Sequence, residues 1–245
     1  MNKRLTIIIV ILLIVAGYLS LSYWHIFSKV INQGLKAPDD NGTYVLGSDS
    51  ATKQIKYVAM GDSLTAGVGI TDYTKSYPYI IAQKMASQGE KVTFYDVSHP
   101  GVKIADLRAY LLGQALSSKP DIITLLIGVN DIRNYTDENK FSEDYEYVLK
   151  TLSQETDAEI YAVSIPFIGD DILPPYSEYF RGKTKDFNKI ILRLCQKYGI
   201  KYIDIYTKTL SEFSKSEDYY SSDLYHPSAK GYALWAEIIY DDINK

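Results

Sequence analysis

From residue 55 onward, short apolar runs alternate with amphipathic stretches of helical period, and this alternation restricts the fold more than any other feature of the chain. The runs at 55–60, 92–97, 121–127, 159–163 and 201–205 read as strands. The stretches at 77–87, 104–116, 141–153, 179–198 and 231–243 read as helices. In 141–153, for instance, Tyr145, Val148, Leu149 and Leu152 share one face. Strands separated by helices pair in parallel, with helices on both faces of the sheet. Right-handed crossovers then leave few topologies. Ligands of such sheets bind beyond the carboxyl ends of the strands. Three strand ends therefore share one rim: Gly61-Asp62-Ser63, Ser98-His99-Pro100-Gly101 and Gly128-Val129-Asn130-Asp131.

The first 53 residues lack this pattern. Lys3 and Arg4 precede an uncharged, almost wholly apolar run at 5–21, followed by Tyr23, Trp24 and Phe27. A helix over 5–24 spans about 30 Å, the thickness of a bilayer core. Basic residues before it and aromatics after it fit an N-in, C-out orientation. A cleaved signal peptide is the competing reading, but the run is long for one and Ala16-Gly17-Tyr18 is a poor cleavage site. The span length favours an uncleaved signal anchor over 1–27, with the rest of the chain outside the cytoplasmic membrane. Cleavage would make the protein secreted. Residues 28–53 are polar and rich in turn formers, and read as a linker. Residues 54–245 are enough for one α/β domain with a full core.

Composition excludes some partners. The net charge of −4 gives no nucleic-acid footprint. The single cysteine, Cys195, lies in an amphipathic stretch and reads as a buried thiol. No Cys/His cluster has metal-ligand spacing, so no metal or cofactor is expected.

The rim residues suit nucleophilic catalysis. A serine hydroxyl is a weak nucleophile and needs a base, and histidine titrates in the right range. The base needs a partner that fixes its tautomer. Ser63 follows the first strand at a turn that holds it by backbone. Among the three histidines, His226 follows a carboxylate by three residues just before a helix, in Asp223-Leu224-Tyr225-His226-Pro227. Ser63 is assigned as nucleophile, His226 as general base and then acid, and Asp223 as the orienting carboxylate. His25 reads as interfacial and His99 as a loop histidine with local bonds. A tetrahedral oxyanion needs two or three donors. The Ser63 and Gly101 N–H groups and the Asn130 side-chain amide are the candidates.

These motifs make residues from about 53 to 244 resemble the SGNH/GDSL hydrolases. Gly61-Asp62-Ser63-Leu64 looks like that family's first block and Gly128-Val129-Asn130-Asp131 like its third. Asp223-Leu224-Tyr225-His226-Pro227, with Gly231-Tyr232 following, looks like its last. Gly101 falls where the second block has a glycine, but the stretch Ser98-His99-Pro100-Gly101-Val102-Lys103 departs from the usual pattern. The resemblance implies a flavodoxin-like three-layer α/β/α fold with five parallel strands in the order 2-1-3-4-5. It also implies ester hydrolysis by Ser63, with Ser63, Gly101 and Asn130 as the oxyanion hole.

Two segments after strand ends are candidates for substrate specificity. Residues 132–141 carry Arg133 and Tyr135. Residues 166–180 are too apolar for an ordinary solvated loop, with Phe167, Ile168, Leu173, Pro174, Pro175, Tyr176, Tyr179 and Phe180. They line either an acyl pocket or lid, or pack on the protein's own core. Arg133, Phe167, Ile168 and Tyr176 are the candidate substrate contacts. The resulting expectation is a membrane-anchored serine hydrolase acting on lysophospholipid, acyl-lipid or polysaccharide O-acetyl esters. The alternatives are an O-acyltransferase using the same acyl-enzyme and a non-catalytic cell-surface binding module. The sequence leaves the oligomeric state open.

Overall fold

The structure is a computed structural model. It describes the backbone of residues 3–32, 36–38, 42–168 and 176–245, and side chains at these positions except 25–32 and 176–177. In chain order the elements are α1 (Lys3–Asn32), β1 (Thr43–Leu46), β2 (Gln54–Gly61), α2 (Tyr77–Ser87) and β3 (Lys91–Ser98). Next come α3 (Ile104–Asp106), a π-helical turn (Leu107–Leu111), α4 (Leu112–Ser117), β4 (Ile122–Leu126), α5 (Val129–Arg133) and α6 (Glu138–Glu155). The chain continues with β5 (Glu159–Val163), α7 (Tyr176–Tyr198), β6 (Lys201–Ile203), α8 (Ile205–Phe213) and α9 (Ala229–Ile243).

The sheet runs β1-β3-β2-β4-β5-β6. Strands β2 to β6 are parallel, in the predicted order, and helices cover both faces. Helices α2, α8 and α9 pack together, as do α3, α4, α6 and α7. The core lies between these layers and the central strands. Tyr57, Val58, Ala59 and Met60 of β2 and Ile123 and Leu125 of β4 are wholly buried.

The expected five strands are six. Strand β1 lies within the segment read as linker and pairs antiparallel with β3, from Thr43 opposite Tyr95 to Leu46 opposite Val92. An edge strand of four residues has only two core-facing positions, so it writes no continuous apolar run. Its inward residue Tyr44 stacks on Tyr73 and Phe94, with ring centroids 5.4 and 5.7 Å away.

Two further readings also change. The helix expected over 104–116 is broken by the π-helical turn. The strand expected over 201–205 stops at Ile203, because Asp204 caps α8 by accepting from the Thr207 N–H at 2.9 Å.

Helix α1 exposes an apolar surface over most of its length, with Leu12, Leu13 and Leu21 among its most exposed side chains. Residues 3–24 are long and apolar enough to cross a membrane. A signal sequence passes the same test.

Candidate active site

Strand β2 ends at Gly61, and Asp62 and Ser63 open a run of turns. The Ala66 N–H donates to the Asp62 carbonyl at 2.9 Å and the Val68 N–H to the Ser63 carbonyl at 3.0 Å. These bonds fix Ser63 by its backbone. Its side chain is mostly covered, at 7 % exposure.

The distant loop before α9 meets this turn. The Ser221 N–H donates to the His226 carbonyl at 2.7 Å, and Tyr220 forms an antiparallel bridge with Pro227. Gly69 lets the two segments touch. It sits at φ +105, and a Cβ there would stand 2.7 Å from the Pro227 carbonyl oxygen and 3.0 Å from the His226 Cβ. Tyr232 of α9 ties the same turn from below, its hydroxyl donating to the Val68 carbonyl at 2.8 Å. Residues about 160 positions apart are thereby brought into register.

The three side chains form one hydrogen-bonded line. His226 Nε2 lies 3.0 Å from Ser63 Oγ, and His226 Nδ1 lies 2.6 Å from Asp223 Oδ2. The other carboxylate oxygen, Asp223 Oδ1, accepts from the Ser221 hydroxyl at 2.6 Å and from the Tyr225 and His226 N–H groups at 3.0 and 2.9 Å. Burial pushes the Asp223 carboxyl up, but the bonds from His226 and Ser221 outweigh it and hold the group at about 2. Leu224 between them takes a left-handed backbone, φ +55, which costs a bulky residue about 1 kcal/mol or more.

Asn130 and Gly101 reach the same rim. Asn130 Nδ2 donates to Asp62 Oδ2 at 3.2 Å and to the Val102 carbonyl at 3.1 Å, so it abuts both the Ser63 turn and the loop after β3. Gly101 is exposed at φ +85. Neither its N–H nor that of Ser63 has an acceptor among the described residues. His99 keeps its ring local, with Nδ1 3.0 Å from the Pro100 carbonyl.

The candidate substrate contacts fare differently. Arg133 is exposed on α5. Phe167 and Ile168 are 2 % and 3 % exposed, so they pack on the core and do not line an open pocket. The reason is local. Asn188 of α7 clamps Ile165, accepting from its N–H at 2.8 Å and donating to its carbonyl at 2.9 Å, and Phe167 then meets Tyr206 edge to face at 6.1 Å. Leu173, Pro174 and Pro175, and the side chain of Tyr176, lie outside the described residues.

Two carboxylates escaped the sequence reading. Asp62 and Asp131 are completely buried. Asp62 Oδ1 accepts from the Leu64 N–H at 3.0 Å, and Asp131 Oδ2 from the Ile104 N–H at 3.0 Å. Burial raises both to about 7. Their place beside the serine and the asparagine in short motifs was the available signal. The folded chain thus holds these protons well above the ordinary value of 3.8, and the unfolded chain does not. Stability contributed by the two groups is greatest at acid pH, falls as pH rises from about 4 to about 7, and levels above that. The thermal midpoint is expected to drop across this window, and Asp131→Asn to make the slope shallower. An unchanged slope would show that Asp131 is already ionised in the folded chain.

Residues 59–234 match the GDSL-like lipase/acylhydrolase family. The chain belongs to this family. A multidomain esterase from Ruminococcus flavefaciens is 24 % identical over 219 residues, covering 75 % of this chain. The chain spans 28 % of that relative's length. The GDSL fold recurs in a lipase/acylhydrolase from Enterococcus faecalis, at 22 % identity and a TM-score of 0.65, covering 77 % of this chain and 95 % of the other. It recurs also in an acetylxylan esterase from Geobacillus stearothermophilus, at 15 % identity and a TM-score of 0.62, covering 82 % and 96 %.

Proposed function

We propose that the protein is a membrane-anchored serine esterase in which Ser63, His226 and Asp223 act as a triad. The observation that carries this reading is the continuous line from Ser63 Oγ through His226 to Asp223, at 3.0 and 2.6 Å. His226 Nε2 takes the proton as Ser63 Oγ attacks the ester carbonyl carbon. The carbonyl oxygen becomes an oxyanion, received by the Ser63 and Gly101 N–H groups and the Asn130 amide. As the tetrahedral species collapses, the bond to the alcohol oxygen breaks and Nε2 returns the proton to it. Water then repeats the sequence on the acyl-Ser63 ester and releases the acid.

Both amide hydrogens of Asn130 are engaged in the resting chain, by Asp62 and Val102. The oxyanion takes over one of them, and the bond to Asp62 keeps the amide aimed. Asn130→Ala is expected to lower kcat about a hundred- to thousand-fold, with little change in KM. A loss under fivefold on p-nitrophenyl acetate would remove Asn130 from the oxyanion hole.

O-acetyl esters of polysaccharide are the favoured substrates within the family's range. Two things support this. Phe167 and Ile168, the apolar candidates for an acyl-chain pocket, are committed to the core, and the fold is shared with acetylxylan esterases. The exposed apolar surface of α1 supports an anchor, with residues 54–245 outside the cytoplasmic membrane. The test is an ester panel on the full chain in detergent, with acetyl, butyryl and octanoyl p-nitrophenyl esters, acetylated xylan and a lysophospholipid. Rates that fall with acyl length are expected. A preference for octanoyl ester or lysophospholipid would overturn the acetyl reading, and N-terminal sequencing beginning after residue 24 would overturn the anchor.

A further inference from the structure

Tyr135 is a large aromatic residue in a costly place. Its backbone is left-handed, φ +55, and its side chain is 66 % exposed. A glycine or asparagine fits such a position more easily. The turn around it is fixed on both sides. The Asn134 side-chain amide donates to the Asn130 carbonyl at 2.7 Å, and the Thr136 N–H donates to the Asp131 carbonyl at 2.9 Å. The ring is thus presented to solvent on a rigid backbone instead of a loose loop. The ring lies beside that of Tyr179, with centroids 5.4 Å apart and planes tilted by 39°.

The topology puts both rings on the rim that carries Ser63. Tyr135 follows α5, which begins just past the carboxyl end of β4, and Tyr179 lies in the first turn of α7, which follows β5. Both strands are parallel to β2, whose carboxyl end leads into Ser63. Tyr135 lies five residues past Asn130 in the chain. Asn130 itself bonds the residue next to Ser63. Exposed Tyr147, by contrast, is roofed by the Arg108 guanidinium at 3.8 Å.

We infer that Tyr135 and Tyr179 form a stacking subsite for a pyranose ring of an O-acylated saccharide whose ester is presented to Ser63. The inference rests on the proposed role of Ser63 and adds the substrate's alcohol part. A pyranose ring has one face of C–H groups carrying slight positive charge, which suits the negative face of an aromatic ring. Its hydroxyls remain in water or meet polar neighbours such as Arg133, exposed two residues earlier. An open pair of phenol rings on a wet rim matches a half-apolar, half-polar ligand of this kind. An alkyl chain gains most where it is enclosed on all sides.

The experiment compares kcat/KM of the full chain on three acetyl esters: an acetylated xylo-oligosaccharide, an O-acetylated chito-oligosaccharide and p-nitrophenyl acetate. The two saccharides separate a pentose from a hexosamine source. Tyr135→Ala and Tyr179→Ala are each expected to lower the ratio of saccharide to p-nitrophenyl acetate turnover about tenfold, through KM. Tyr135→Trp is expected to keep the ratio. Binding of unacetylated xylohexaose to the Ser63→Ala chain, followed by chemical shifts, is expected to weaken when Tyr135→Ala is added. A ratio unchanged in both alanine variants overturns the subsite, as does a wild-type chain that hydrolyses neither saccharide. Loss on a lysophospholipid in place of the saccharides also overturns it. If instead Ser63→Ala retained turnover of p-nitrophenyl acetate, the nucleophile would be wrong, which is a separate failure.

Discussion

Ser63→Ala is expected to lower kcat on p-nitrophenyl acetate by about a million-fold. The substitution deletes the only atom of the line that bonds to the acyl group. His226 Nε2, 3.0 Å from that oxygen, is left with nothing to deprotonate. The N–H donors of the oxyanion hole survive, so a residual acceleration of roughly a thousand-fold over water remains. Folding is spared, because the Ser63 side chain is small and its turn is held by the Asp62 and Ser63 carbonyls. Circular dichroism of the variant should match that of the parent. Turnover within tenfold of the parent would take Ser63 out of the reaction.

Asp223→Asn has the next largest effect, a drop of about ten-thousand-fold in kcat. The argument turns on a tautomer. Oδ1 of Asp223 accepts three bonds, from Ser221, Tyr225 and His226, and an asparagine keeps its carbonyl oxygen there. Its NH2 group must then face His226 Nδ1, where a carboxylate oxygen stood at 2.6 Å. Nδ1 becomes an acceptor, the ring proton moves to Nε2, and Nε2 is no longer able to take the proton of Ser63. The carboxyl of Asp223 is held at about 2, so the native group stays ionised at any working pH. The loss should therefore be much the same from pH 6 to pH 9, as measured by kcat on the same ester. A loss below tenfold would leave the orientation of His226 to some other group.

The chemistry was more legible in the sequence than the scaffold around it. Ser63, Asn130, Asp223 and His226 each stand in a short motif, and the rule that parallel sheets expose chemistry at one rim joins Ser63 to Asn130 before any coordinates. What holds them together was not legible. The bond from Asn130 to Asp62 depends on two side-chain rotamers, and the contact of Gly69 with His226 joins loops far apart in sequence. Helix α8 was hidden because Asp204 reads equally well as a loop residue or a cap. The segment with Phe167 and Ile168 was ambiguous because apolar residues look alike whether they face a ligand or the core. Burial decided that question, and composition had no means to do so.

The short antiparallel strand at the sheet's edge sets a working radius. With α1 embedded in a bilayer, the domain would begin at Thr43, where pairing with β3 begins, and not at residue 54. Only residues 33–42 lie between the end of α1 and that mooring. Even drawn out straight, such a stretch reaches about 36 Å at most. On the proposed reading, the domain would then start within that reach of the end of α1, and an O-acetylated glycan would be met near the membrane.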